Sequence, residues 1–532
     1  MYRFTKSLSG RTSGIAGIAR CLARIALIGM IPSLPACDNE LPIIAPNIPY
    51  GIQSGDLTTT SAVIWAATDR DAQMIIRWSE DATMAGATEV EGPSVTSETG
   101  FAGKYVLADL PAGQDIYYEV RFRDPRQAKV ESEPRKGFFR LAPTGDRDIH
   151  FLFSADTGGQ GWGISKEYGG YKMYAEMAKR NPDFFLHLGD IIYADKPFSP
   201  EVVLDDGTIW RNQMIEGITP TKVAETVEEF RNYYRYNLLD EHYQAFNAST
   251  ASLMEWDDHE FKDNWYSGQI LSADDDRYTE KDVDTLVARA RQALLEFTPI
   301  TEVAGEMYRT IHYGGLLDVF LLDYRSYRGP ASDNLQTTHG PATELLGARQ
   351  FEWLKSELAG STATWKVIAE QSPLGVDIDS ADLATGGGLE GVGNTDQGEP
   401  LGREIQFAEL LTYIHDQDIE NVVFLTGDVH YTAAHHYDPA VAGYSGNFKP
   451  FWEFISGPIH AGTYGPNPLD MTFGPTVVFQ RDPGGRSNVS PQEGLQFFGD
   501  VRISAADRSF TVELRDITGA VLHTETLLPE AD

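Results

Sequence analysis

Residues Phe184–Tyr193 read FFLHLGDIIY. The opening run is short, bulky and mostly apolar, which suits a strand buried on both faces. Gly189 then breaks it, and the first polar group past the break is the carboxylate of Asp190. The same arrangement recurs along the chain. HFLFSAD ends in Asp156, VFLLD ends in Asp323, and VVFLTGDVH runs out into Asp428 and His430. SLMEWDDHE adds Asp257, Asp258 and His259. Amphipathic helical patterns such as KVAETVEEFRNYYRYNLL and ARQFEWLKSELAG lie between these runs, so the region is expected to be α/β. In open α/β sheets, ligands bind just beyond the carboxyl ends of the strands. One acidic strand end is an ordinary loop. Several delivered to one edge repel one another, and partial burial raises that cost. Two di- or trivalent cations would turn the same crevice into a hard-ligand metal site.

Outside this region the pattern changes. From about residue 45 to 142 the chain offers SAVIWAAT, AQMIIRWS, GKYVLADL and IYYEVRFRD, alternating apolar and polar residues between turn signals. This predicts a small N-terminal β-sandwich over 38–145, with LAPTGDRD (Leu141–Asp148) as its linker. The large domain then covers 146–532. Its last 35 or so residues read as strands that either pack on that domain or extend its sheet. At the start, Arg3, Lys6, Arg11, Arg20 and Arg24 precede IALIGMIPSLPA and Cys37, which reads as an export signal over 1–37. LPAC resembles a bacterial lipobox, whose cysteine is lipidated after cleavage; an ordinary signal peptide is the alternative. The expected location is therefore periplasmic or cell-surface, with anchoring through Cys37. Cys21 and Cys37 are the only cysteines, so the exported chain has no internal disulfide.

The chain has 532 residues, with 78 acidic against 43 basic and a net charge of −35. That length calls for more than one domain. That charge argues against a nucleic-acid-binding surface and against direct adhesion to anionic lipid. Membrane association is expected only through the lipid anchor, and the protein is expected to be a monomer.

Four blocks occur in order: DTG (Asp156–Gly158), GDIIY (Gly189–Tyr193), DDHE (Asp257–Glu260) and GDVH (Gly427–His430). Together they resemble the metallophosphoesterase superfamily, the first two its purple acid phosphatase branch. YGIQSGDLTTTSAVIWAAT, WDDHE, LDYRSYR, LGARQFEWLKSELAGSTATWKVI and EFISGPIHAGTYGPNP are together similar to the PhoD-like alkaline phosphatases. The resemblance covers nearly all of the chain after the leader. It implies a four-layer α/β/β/α metallophosphatase core preceded by the small β domain.

It also implies roles. Asp190 bridges two metals; Asp156, Tyr193 and His430 complete the first ion's ligands; Asp258 and Asp428 hold the second. A phenolate suits Fe³⁺, and a carboxylate-rich second site suits Ca²⁺, with Mn²⁺ or Zn²⁺ as alternatives. The site is thus expected to be dinuclear or multinuclear, with hydroxide on the metals attacking phosphorus in line. His259 falls where the superfamily keeps a histidine near the leaving group. The planar fork of Arg325 suits phosphate oxygens and equally suits a scaffold pair with Asp323 or Asp257; it stands with His259 as a catalytic candidate. Asn264 is a contact to metal or substrate, and Trp265 reads as core. Three departures from the family pattern stand out. Asp156 replaces a frequent cysteine, only Gln371 occupies the region of a further block histidine, and the leader has no Arg–Arg pair.

The expected activity is that of a phosphoric-ester hydrolase of alkaline phosphatase type, releasing phosphate from monoesters. A phosphodiesterase or phospholipase D-like activity on the same metals is the alternative. A non-catalytic surface binding protein is a third reading, against which Asp190, His259 and His430 argue.

Overall fold

A computed structural model describes residues 44–380 and 388–530. The leader and Cys37 lie outside them. Every residue of the strands Phe184–Leu188 and Leu317–Leu321 is buried, as their unbroken apolar sequence requires. Their side chains alternate between two different cores. Phe151, Phe153, Leu186, Leu188 and Leu253 of one sheet meet Val319, Leu321, Val367 and Leu425 of another, forming a shared central core. Leu152, Phe185 and Met254 point the opposite way, into a helical layer. Phe320, Ile368 and Phe424 do the same on the far side. The result is a four-layer α/β/β/α arrangement. Truncating Leu186 to Ala at the centre would cost about 2–5 kcal/mol.

Four parallel strands form the middle of each sheet. In the first, Ile149–Ser154, Phe184–Leu188, Ala251–Glu255 and Ile52–Gly55 lie side by side. In the second the order is Leu317–Leu321, Trp365–Glu370, Val422–Thr426 and Phe451–Ile455. Parallel neighbours need crossovers, and helices supply them: Lys172–Ala178, Glu241–Ser249, Gly347–Gly360 and Glu404–Asp416. The helix Val227–Asn237 starts at a capping box in which Thr226 and Glu229 exchange hydrogen bonds. It buries Phe230, Arg231, Tyr233, Tyr234, Arg235, Tyr236 and Asn237, so it is covered on more than one face.

The C-terminal strands extend the first sheet. Phe497–Ile503 pairs antiparallel with Ile149–Ser154, and Phe510–Asp516 and Val521–Leu527 follow outward. The N-terminal β-rich region divides in two. Thr88–Val95, Ala72–Ser79, Asp115–Arg123 and Arg135–Arg140 make a separate four-stranded sheet. Ile52–Gly55, Ala62–Ala67 and Ala102–Leu107 instead form the far edge of the nine-stranded first sheet. Gly55 pairs with Ser252, and the buried Asp56 receives Arg309 at 2.7 Å. One part of the β-rich region therefore shares a hydrogen-bonded sheet with the rest, and both parts share its core. Among the described residues, no helix is long and apolar enough to cross a membrane.

Candidate metal centre

The carboxyl ends of the central strands of both sheets open onto one crevice. Asp156, Asp190, Asp428 and His430 follow them with positive φ of 62°, 55°, 65° and 59°. Asp and His tolerate this left-handed backbone better than most residues, at a cost of order 1–3 kcal/mol each. Close packing accompanies the turns. Gly189, at φ 98°, leaves no room for a Cβ, which would lie 2.5 Å from that of Asp257, and a Cβ on Gly457 would collide with Asp156 Oδ2. Glu260 ties two of the loops together, accepting from Ile191 N–H at 2.6 Å and from Asp257 N–H at 2.8 Å.

Three sets of candidate ligands overlap: Asp156, Asp190 and His430; Asp190, Asp258 and His259; and Asp257, Asp258 and Asp428. Asp190 belongs to two of them. Tyr193 stands beside the first set, its hydroxyl 3.1 Å from His430 Nε2 and 3.5 Å from Asp156 Oδ1. His430 Nδ1 lies 2.5 Å from the Gly462 carbonyl, so Nδ1 carries the proton and Nε2 offers its lone pair to the crevice. Burial pushes the His430 pKa down to about 3, which keeps the imidazole neutral, as a ligand must be.

The carboxylates are held by one oxygen and left free by the other. Asn264 N–H donates to Asp258 Oδ2 at 2.6 Å, whereas Asp258 Oδ1, Asp257 Oδ2 and Asp156 Oδ2 are buried with no hydrogen-bond partner. Burial, followed by repulsion from neighbouring carboxylates, raises the pKa of Asp156 and Asp190 well above the ordinary range. A cation removes that penalty as a proton does. The orphaned oxygens, the neutral imidazole and the phenol therefore fit hard metal ions.

His259 follows Asp258 and donates its backbone N–H to Asp190 Oδ1 at 3.1 Å. Its Nδ1 lies 2.6 Å from Asp195 Oδ1. Burial would lower the His259 pKa, but the carboxylates of Asp195, Asp258 and Asp263 outweigh it and hold it up at about 10. His259 also lines a cavity of about 760 Å³, with Lys196, Lys222, Arg277, Tyr464 and Asn488 around it.

Arg325 takes a different place from a substrate-facing group. It is 0% exposed and its donors meet carboxylates: Nε on Asp257, Nη1 on Glu390 at 2.7 Å, Nη2 on Asp428 at 3.3 Å. It is absent from the lining of the cavity beside His259. Asp323, another strand-end carboxylate, stays out of the metal-ligand sets and accepts from Trp256 Nε1 at 2.8 Å. Gln371 is likewise structural, accepting from Tyr324 N–H and donating to the Leu322 carbonyl. Trp265 is buried against Trp256 and Phe261. The Asn264 side-chain amide donates its nitrogen to the Glu390 carboxylate. Asp257 lies within WDDHE, which the sequence already places at a strand end, whereas Asp195 and Glu390 are not among the sequence candidates and nothing local marks them.

Comparison with known proteins follows the same lines. Residues 151–514 match the model of the PhoD-like phosphatase family, and residues 36–143 match its N-terminal domain. The chain belongs to the PhoD-like phosphatase family. Alkaline phosphatase D of Bacillus subtilis (strain 168) is 31% identical over 281 residues. That match covers 50% of this chain and 44% of the relative, so the chain spans under half the length of that curated protein. Among solved structures, PhoD superposes with a TM-score of 0.67 at 20% identity, covering 91% of this chain and 89% of the other. A purple acid phosphatase from yellow lupin (Lupinus luteus) seeds gives 0.54 at 12% identity, with 91% and 74% covered. Both show the same fold as this chain.

Proposed function

We propose that the protein is a metal-dependent phosphoric-ester hydrolase of alkaline phosphatase type, acting on phosphomonoesters. The observation that carries this reading is the gathering of Asp156, Asp190 and His430 beside Asp257, Asp258 and Asp428, with the His259 N–H donated to Asp190. The relative named alkaline phosphatase D supports the same reaction class. Asp156, Asp190, Tyr193 and His430 would hold Fe³⁺, and Asp190, Asp258 and Asp428, with Asp257 beside them, would hold Ca²⁺ or Mn²⁺. The phenol and imidazole make the first set the better one for iron, and the all-carboxylate set favours the harder divalent ions. When bound, such ions supply a nucleophile from water and offset charge on the phosphoryl oxygens.

The chain's own residues do the rest. Asp195 fixes the His259 ring so that Nδ1–H is committed, and Nε2, 3.7 Å from Asp263 Oδ1, is the nitrogen left to serve the leaving-group oxygen. In this reading His259 passes a proton to the leaving-group oxygen as the ester bond breaks. Arg325 counters the buried carboxylates and takes no part in holding phosphate. A phosphodiesterase reading is favoured by one feature, the 760 Å³ cavity beside His259, which gives space for a second ester group. Turnover of an aryl phosphate against a bis-aryl phosphate, on protein of measured metal content, separates the two. Metal-loaded protein that hydrolyses neither would sink both.

Export, and anchoring through a lipidated Cys37, rest on the leader sequence alone. A wild-type protein that partitions into membranes, with Cys37→Ala released from them, is the expected outcome. A wholly soluble wild type with an unmodified cysteine defeats this reading.

A further inference from the structure

We propose that Arg325 is a resident cation of the metal centre, holding the second ion's carboxylates in place whether or not that ion is bound. The proposal rests on the metal-dependent reading above and assigns a positioning role within it. Arg325 follows the strand Leu317–Leu321 of the second sheet. Its guanidinium reaches Asp257, which follows a strand of the first sheet, Asp428, which follows a strand of the second, and Glu390, which follows a strand of a separate two-stranded sheet. Asp258 Oδ2 lies 3.8 Å from Nη1. One side chain therefore meets all three members of the set Asp257, Asp258 and Asp428.

The division of oxygens makes this more than a buried ion pair. Arg325 takes Oδ1 of Asp257 and Oδ1 of Asp428, while Asp257 Oδ2 and Asp258 Oδ1 have no partner. The fork grips the outer side of the acids and leaves oxygens free for a metal. Five N–H donors in a fixed plane suit this task, which a lysine point charge does not reproduce. Arg328 braces the arrangement by sharing Glu390 Oε2 at 3.1 Å.

Without the guanidinium, Asp257, Asp258 and Asp428 would face one another in a buried site with much less counter-charge, unless a divalent ion were present. The stripped protein should then depend on that ion far more than wild type does. The test is thermal unfolding of the full chain after chelation and after reloading with Ca²⁺ and, separately, Mn²⁺, with metal content measured by elemental analysis. In Arg325→Met, the rise in Tm on loading should be about twice that of wild type or more, because the stripped form loses most. Adding Asp257→Asn to Arg325→Met should recover part of the stripped form's loss, since one repelling charge is gone.

Equal lowering of Tm in stripped and loaded Arg325→Met would show ordinary packing and overturn the proposal. Should Arg325→Met fail to fold, Arg325→Lys carries the test, since it keeps the charge and loses the fork. It should show the same excess rise on loading to a smaller degree, and a parallel loss overturns the proposal again. A wild type that takes up no metal defeats the metal-dependent reading together with this one; uptake with parallel losses defeats this one alone.

Discussion

His259 Nδ1 stands 2.6 Å from Asp195 Oδ1, and both side chains are buried. Asp195 Oδ2 is held in turn by the Asp263 N–H at 3.3 Å and by Lys196 Nζ at 3.5 Å. The carboxylate is therefore fixed before it fixes the ring. Burial would raise the Asp195 pKa, yet His259 beside it holds it well below the usual range. In the proposed reaction, Asp195→Asn keeps the shape and removes the charge that supports a protonated His259. Aryl-phosphate turnover should fall about 10- to 100-fold with metal content unchanged. Loss of metal in step with loss of turnover would move Asp195 from orienting His259 to supporting the metals.

The phenol of Tyr193 tests the identity of the first ion. Burial, then the charges of Asp190 and Asp156, raise its pKa well above 10, so the phenolate needs a strong cation beside it. If that cation is Fe³⁺, the concentrated protein should carry a visible charge-transfer band, and Tyr193→Phe should bleach it and lower iron content. A colourless, fully active protein loaded with Ca²⁺, Mn²⁺ or Zn²⁺ alone would refute iron and spare the proposed hydrolase.

Asp190 tests the sharing of ligands. It is 1% exposed and serves two of the three ligand sets. Asp190→Ala should lower the content of both metals and abolish turnover, because each ion would lose the one carboxylate that the two share. Near-normal activity with both ions retained would remove the reading of a shared carboxylate.

Much of this centre was legible because its carboxylates sit at fixed places relative to apolar runs. Asp156, Asp190 and Asp428 each follow a buried strand of five or six residues, and strand polarity alone brings such ends to one edge. The partners that tune them were not legible. Glu390 meets Arg325 across 65 residues from a glycine-rich stretch with no periodicity. Asp195 stands in the polar loop ADKP, and its approach to His259 spans 64 residues. The N-terminal strands were recognisable by alternation, but alternation gives a strand and not its neighbour. That is why the pairing of Gly55 with Ser252, which joins the β-rich region to the main sheet, could not be read in advance. Asp323 shows the opposite limit. It has the same sequence context as the ligands, yet it accepts from Trp256 Nε1 and the Ser326 N–H.

Away from the centre, Glu404 gives a pH-dependent prediction. It opens the helix Glu404–Asp416 and is 0% exposed. Its Oε2 accepts from Asn394 Nδ2 at 2.5 Å and from Leu401 N–H at 3.0 Å. Burial, then the charge of Asp470, pushes its pKa up to about 9. The folded protein therefore holds a proton here that the unfolded chain releases near the ordinary pKa of about 4.3. Between those values the folded state binds more protons than the unfolded state, so this group makes stability fall as pH rises. Its contribution is complete below the unfolded pKa and is lost progressively as pH climbs through about 9. Glu404→Gln copies the protonated acid without titrating. The amide oxygen can keep both accepted hydrogen bonds, and its NH₂ can take the place of the carboxyl proton. The variant should match wild type at pH 4 and exceed it in Tm by a margin that widens from pH 6 to about pH 9. Parallel Tm–pH curves for the two proteins would show that Glu404 carries no proton of its own in the folded state.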